Sequence, residues 1–376
     1  MIPLCKTLIH EDAITNATRV LRSGWPGMGS ETEAFEKEFA SYIGAKYAIA
    51  TNSGTEALRI ATHIASRNTK YGYAITTPNT FVSTNAVLVQ NEMHLIFTDI
   101  EYKTGNMFIG DAEMALRLYN CGLIMLVHYG GYPPDMAAFE DLAYTYKVEI
   151  IHDCAHATGT IYNDKHVGAG VKYACYSFHA VKNLPIGDGG MLVTNSEEVD
   201  TKARQLRWLG IDKSTFKRVE GSYTWEYDCA DVGYKAHMWD VQAAIGRGQL
   251  PHLDEWNAKR QELADRYRKN LFSCSFPQPL NTPAFGNQTS NYLFVVQFKD
   301  KEMRKKATDL LAQNDVQFGY HYKPTYLYEP YKCYSTMGTM NMDRFYETSL
   351  SIPLHLFMTA DDVDLISELV IEASIK

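Results

Sequence analysis

From residue 46 onward the chain alternates short apolar runs rich in β-formers with amphipathic stretches. "KYAIAT" precedes "TEALRIATHIAS", and "GYAITTP" precedes "TFVSTNAVLVQN". "MHLIFTDI" follows, then "GLIMLVHYG" with the helical "DMAAFEDLAYTYK", then "VEIIHDCA". Strands apolar at nearly every position suit a sheet covered on both faces, and intervening helices impose mostly parallel order. "YACYSFH" and "GGMLVT" read as two further strands. A helical pattern resumes at 196–207, and a longer one over 240–270 is expected to bend near Pro251. Beyond the Pro- and Gly-marked "PQPLNTPAFGNQ", the run "NYLFVVQF", the helical "KEMRKKATDLLAQN" and a last helix near 360–375 predict a smaller α+β domain. The predicted division is 1–250 as a large domain with an N-terminal arm, and 251–376 as a small one.

Bulk properties narrow the class. A chain of 376 residues can bury two cores, and 45% hydrophobic with 21% charged residues is a globular composition. No apolar run approaches a membrane span. The start shows neither a basic-then-apolar leader nor an arginine-rich transit pattern, so cytoplasm is the expected location. Seven scattered cysteines without a C-x-x-C pair predict reduced thiols rather than disulfides or a zinc site. The net charge of −8 disfavours nucleic acid as the main partner.

Open parallel sheets bind ligands beyond the carboxyl ends of their strands. The loops there are the ones richest in unusual polar residues. "SFHAVKNLPIGDGG" (177–190) carries Lys182 just before a glycine-bracketed acidic turn; a lysine in a turn is ordinarily a solvated charge. "TNSGTEAL" (51–58) opens a helix after a strand, leaving free N–H groups where the dipole favours an anion. It could equally be an ordinary N-cap turn. In "IIHDCAHATG" (150–159), Asp153 leaves a buried strand and needs a cation or hydrogen bonds. Alternation along that strand turns His152 and Cys154 away from Asp153, so no metal cluster is expected. Phe81, in "TTPNTFVSTNAV", is either a core residue or a stacking platform. An amine for a Schiff base, a carboxylate for a pyridine nitrogen, a helix start for phosphate and an aromatic face are together the requirements of pyridoxal phosphate.

Several ordered segments then resemble the DegT/StrS family of sugar aminotransferases. They are "SGWPGMGSETEAFEKEFA" (23–40), "TNSGTEAL", "TPNTFVST", "VHYGGYPPDM" (127–136), "DCAHATGT" and "SFHAVKNLPIGDGG". "VGYKAHMWDVQAAIGRGQLPHLDEWNAKR" (232–260), "HYKPTYLYEPY" (321–331) and "SLSIPLHLFMTADDV" (349–363) complete the match. The resemblance implies an α/β fold of fold type I: a large domain with a mostly parallel seven-stranded sheet between helices, plus a smaller α+β C-terminal domain. It implies Lys182 as the Schiff-base lysine and proton carrier, Asp153 on the pyridinium nitrogen, His156 beside the ring hydroxyl and Phe81 on the ring face. Gly54, Thr55 and Ser177 would hold the phosphate. Trp25, His321 and Tyr322 are the expected substrate contacts.

Four residues in three places depart from the family pattern. His152 stands where a glutamate is common, and Asp188 replaces the glutamate of a G-E-G-G turn. Lys235 and His237 fall where asparagine and arginine often reach the neighbouring subunit's phosphate, and they are carried as cofactor-binding candidates. The function implied is amination of a keto sugar, nucleotide-linked and of the 4-keto-6-deoxy kind, with L-glutamate as donor, by a homodimer with shared sites. A cyclitol or a higher keto or aldehydo sugar acid is the alternative acceptor. A cofactor-dependent sugar dehydratase would carry histidine in place of Lys182, and a non-catalytic regulator is the rival of another class. Loops 214–231 and 320–331 are expected to set substrate identity.

Overall fold

A computed structural model describes residues 1–211, 227–280 and 288–375. Residues 214–226 of the first substrate loop, and most of the proline-marked linker, lie outside the described residues. The strands are β1 (Tyr47–Thr51), β2 (Tyr73–Thr76), β3 (His94–Phe97), β4 (Cys121–Val127), β5 (Glu149–Asp153), β6 (Ile161–Tyr162) and β7 (Lys165–His166). They continue with β8 (Ala174–Ser177), β9 (Gly190–Thr194), β10 (Gln278–Pro279), β11 (Phe294–Gln297), β12 (Ser335–Thr336) and β13 (Ser349–Ile352).

The main sheet runs β1-β9-β8-β5-β4-β2-β3-β12. Neighbours are parallel except β9, which is antiparallel to both β1 and β8. All seven expected strands are in it. An eighth, the two-residue β12, comes from the C-terminal third and pairs Ser335 with Ile96; a strand that short carries no periodicity to read. Successive residues alternate between the faces, as a pleat requires. Ile49, Met125 and Leu192 pack with Ala57, Ile60 and Ile64 of the Gly54–Arg67 helix. Ala48, Ala50, Met191 and Val193 face the other way, onto Phe35 and Phe39 of the Ser30–Ile43 helix. Two apolar faces are why the strands read as unbroken apolar runs.

The helix also carries a buried acid. Glu36 accepts from Arg204 Nη1 at 2.7 Å and from Ala50 N–H at 2.9 Å, and it pairs with Arg207, locking the helix to β1.

The direction of the strands positions the site. β1, β2, β4, β5 and β8 run the same way, so their carboxyl ends share one edge. Because β9 is antiparallel, the loop 178–189 both leaves and returns at that edge.

Helix Asp240–Gln249 gives way to a 3₁₀ turn at Leu250–His252 and resumes as Leu253–Leu271, the interruption expected at Pro251. Leu263 and Tyr267 of the latter pack with Phe294, Leu311 and Ile366 beneath the antiparallel sheet β10-β11-β13. An N-terminal arm is stitched across this region. Ile2 bridges to Val316, Leu4 N–H donates to Gln317 Oε1 at 3.1 Å, and Thr7 Oγ1 donates to the Ala180 carbonyl at 2.5 Å. Among the described residues, no helix is long and apolar enough to cross a membrane.

Candidate active site

The carboxyl ends of the strands open onto a cavity of about 500 Å³. Gly54 and Thr55 enter it after β1, Phe81 after β2, Asp153 and His156 around the end of β5, and Ser177 and Lys182 from β8 and its loop. His321 and Tyr322 reach it from the C-terminal third. Nine expected residues are thus brought to one place. The other three are not in its lining. Trp25 lies against Gly29, whose added Cβ would meet its Nε1 at 2.9 Å. Lys235 is exposed, with Nζ 3.4 Å from the centre of the Trp208 ring. His237 packs edge-on against the same ring at 4.3 Å, and its Nδ1 is buried without a hydrogen-bond partner among the described residues.

The helix start is built for close approach. Ser53 caps it, its Oγ accepting from Glu56 N–H at 3.2 Å, while its carbonyl accepts from Ala57 N–H. Among the described residues no hydrogen bond takes the Gly54 and Thr55 amides. A Cβ on Gly54 would sit 2.7 Å from Ser177 Cβ, and one on Gly190 would sit 2.4 Å from the Ser53 carbonyl oxygen. Both positions therefore need glycine to let the helix start lie against β8 and β9. Unpaired amides at the positive end of a 14-residue helix, with the Ser177 hydroxyl beside them, suit a phosphate.

At the far side lies Asp153, 4% exposed. Its Oδ2 accepts from Thr84 Oγ1 at 2.7 Å and its Oδ1 from Ala155 N–H at 3.1 Å. Thr80 and Thr84 hydroxyls lie 2.9 Å apart behind it. Burial raises the Asp153 carboxyl above its ordinary range, against the pull of Thr84, the Ala155 amide and Lys182. No cation forms an ion pair with it among the described residues. Lys182 is half-buried, with Nζ 4.1 Å from the Tyr292 ring centre; burial pushes its amine down to about 7, against the attraction of Asp153. His156 accepts from Gly130 N–H on Nδ1 at 3.2 Å, which leaves Nε2 as the protonated nitrogen, 3.1 Å from Tyr322 Oη. Burial first, then Lys182 and His321, keep its imidazole neutral.

Phe81 is 57% exposed at the pocket mouth, with the Tyr322 ring centre 6.4 Å from its own. Together these groups meet the demands of pyridoxal phosphate: an amine half free near neutrality, a buried carboxylate lacking a cation, an open helix start and an aromatic face. Sequence reasoning missed Thr84 and Tyr292. Thr84 sits three residues beyond Phe81 in a segment already singled out. Tyr292 has no local signal, because it arrives from more than a hundred residues downstream.

The comparisons with known proteins bear on the family and the fold. A model of the DegT/DnrJ/EryC1/StrS aminotransferase family matches residues 7–371. The Bacillus subtilis spore coat polysaccharide biosynthesis protein SpsC is 32% identical, over 98% of this chain and 96% of its own. Among solved structures, Helicobacter pylori PseC, an aminotransferase involved in the biosynthesis of pseudoaminic acid, superposes with a TM-score of 0.90 at 25% identity, over 99% of this chain and 98% of that one. The sugar aminotransferase CalS13 from Micromonospora echinospora gives 0.89 at 26% identity, over 99% and 100%.

Proposed function

Because the chain belongs to the DegT/DnrJ/EryC1/StrS aminotransferase family, we propose that it aminates a nucleotide-linked 4-keto-6-deoxy sugar, taking nitrogen from L-glutamate. It is a pyridoxal-phosphate-dependent aminotransferase. The sugar class draws support from the polysaccharide and sugar roles carried in the names of its relatives. One observation carries the catalytic assignment: an amine lowered to about 7 shares a pocket with a buried, cation-free carboxylate.

When bound, the cofactor supplies an aldehyde for amine exchange and a ring that accepts electrons. Lys182 Nζ holds it, and once free takes and returns the proton at the substrate carbon bearing nitrogen. Asp153 keeps the ring nitrogen protonated, oriented by Thr84 and the Ala155 amide. Gly54 and Thr55 amides with Ser177 would hold the phosphate, Phe81 would cover the ring, and neutral His156 would stand by its hydroxyl. His321 and Tyr322, which line the pocket, contact substrate; Trp25, outside this lining, is carried as a further substrate contact.

A homodimer belongs to this proposal. Lys235 is exposed outside its own pocket, which suits a reach with His237 toward the neighbouring subunit's phosphate. So does a division near residue 250, supported by the separate apolar cluster around Leu263, Phe294 and Ile366. The test loads the enzyme with pyridoxamine phosphate and screens keto-sugar nucleotides for spectral return of the lysine-bound form. Borohydride reduction and digestion must then place the pyridoxyl tag on the peptide containing Lys182; a tag elsewhere, or none, overturns the assignment.

A further inference from the structure

A second, smaller cavity of about 270 Å³ adjoins the first. Val181, Lys182, Tyr292 and His321 line both, so the two are chambers of one site. The smaller chamber is closed by the N-terminal arm over Leu4–Leu8, the Leu253–Leu271 helix and the segment after β13. Its charge is one-sided. Lys6, Lys182 and Arg260 line it, and among the described lining residues there is no aspartate or glutamate.

Arg260 is 8% exposed, and its Nη1 is fully buried with no hydrogen-bond partner among the described residues. The rest of its guanidinium makes no hydrogen bond to any described residue. Burial pulls this group down to about 10, with only Tyr292 opposing. Arg207, equally buried, is instead paired with Glu36. A desolvated guanidinium without an acid is expensive, and an anion entering the chamber would remove that cost.

We propose that Arg260 binds the carboxylate of the amino-donor acid in this chamber, and so selects the donor for the transamination proposed above. A planar fork of donors matches a carboxylate with two parallel bonds. The walls otherwise offer Trp256, Leu293, Ile352 and Leu354, apolar cover for a short carbon chain. Lys6, exposed on the arm with Nζ 4.3 Å from the Phe357 ring centre, adds a second positive charge at the chamber's edge. The larger cavity beside it is left to the keto-sugar substrate.

The test titrates succinate into holoenzyme by calorimetry, for wild type and Arg260→Gln, and measures KM for glutamate and keto sugar separately. Losing charge-assisted bonds predicts succinate affinity and glutamate KM worse by about tenfold or more, with the keto-sugar KM unchanged. Arg260→Lys, which keeps charge without the fork, recovers part of the loss and serves if the glutamine variant does not fold. Unchanged succinate binding in both variants overturns the proposal, as does a loss confined to keto-sugar KM or displacement of succinate by a nucleoside diphosphate. A wild-type protein that still carries its pyridoxyl tag on the Lys182 peptide separates that failure from failure of the aminotransferase mechanism.

Discussion

Thr84 Oγ1 donates to Asp153 Oδ2 at 2.7 Å, joining the helix after β2 to the end of β5. Two elements nearly seventy residues apart are thereby set by one hydroxyl, which fixes where the carboxylate points. Thr84→Val removes the donor but keeps the shape. A hydrogen bond to a charged group contributes about 1.5–3 kcal/mol, so single-turnover rates with glutamate should fall roughly 10–100-fold while cofactor stays bound. Asp153→Ala should slow the same step further. Stopped-flow absorbance reads both, and unaltered rates would remove Asp153 from the proposed role.

Lys182→Ala should bind cofactor without covalent attachment and lose turnover. The wild-type amine sits at about 7, so the cofactor-free protein should capture aldehyde fastest above that pH and slow about tenfold per unit below it. Stability follows the same sign. Between about pH 7 and 10.5 the unfolded chain holds a proton on this group that the folded chain does not, so cofactor-free protein gains stability as pH rises through that window. Denaturant midpoints at pH 7 and 9, compared with the alanine variant, check this.

Gly54→Ala forces a Cβ to 2.7 Å from Ser177 Cβ. The helix start must then shift, and the amides offered to the phosphate shift with it. Affinity for pyridoxal phosphate should drop about tenfold or more, whereas pyridoxal without its phosphate should lose little. Equilibrium dialysis with both compounds distinguishes a lost phosphate site from general misfolding.

Glu36 is buried, and burial opposes its charge, yet Arg207 and Arg204 together hold its carboxyl below the usual value. Its stabilising contribution is therefore present above the unfolded value near 4.5 and is lost as pH falls through the folded one. Glu36→Gln leaves buried Arg207 without its acid, while Arg204 keeps Asp200 at 2.8 Å, and should cost about 3–5 kcal/mol at pH 7. The deficit should shrink toward pH 4, read as convergence of the two melting curves.

The strand ends that carry Gly54, Phe81, Asp153 and Lys182 were legible because each follows an apolar run and breaks its pattern with a polar turn. The parallel order of the sheet then puts them at one edge without further information. Thr84, Tyr292 and Arg260 were not legible in the same way. Thr84 reads as one more polar residue in a helix start, and its bond to Asp153 depends on how far β2 and β5 are staggered. Arg260 sits in a charged stretch of helix, "NAKRQE", where any arginine looks solvated; it is buried by segments far away in sequence, among them the arm, Tyr292 and the stretch after β13. Lys235 and His237 matched the spacing of a site, but packing on Trp208 keeps them out of the pocket of their own chain.

Leu4 and Gln317 are bonded across 313 positions of sequence. At 5–20 residues per second, a ribosome takes roughly 15–60 s to deliver the partner once the arm has emerged. During translation the wall of the smaller chamber can meet Ala180 early through Thr7 but lacks its outer bond until nearly the whole polypeptide exists, and the ability to retain a small acid there is among the last properties the nascent molecule can acquire.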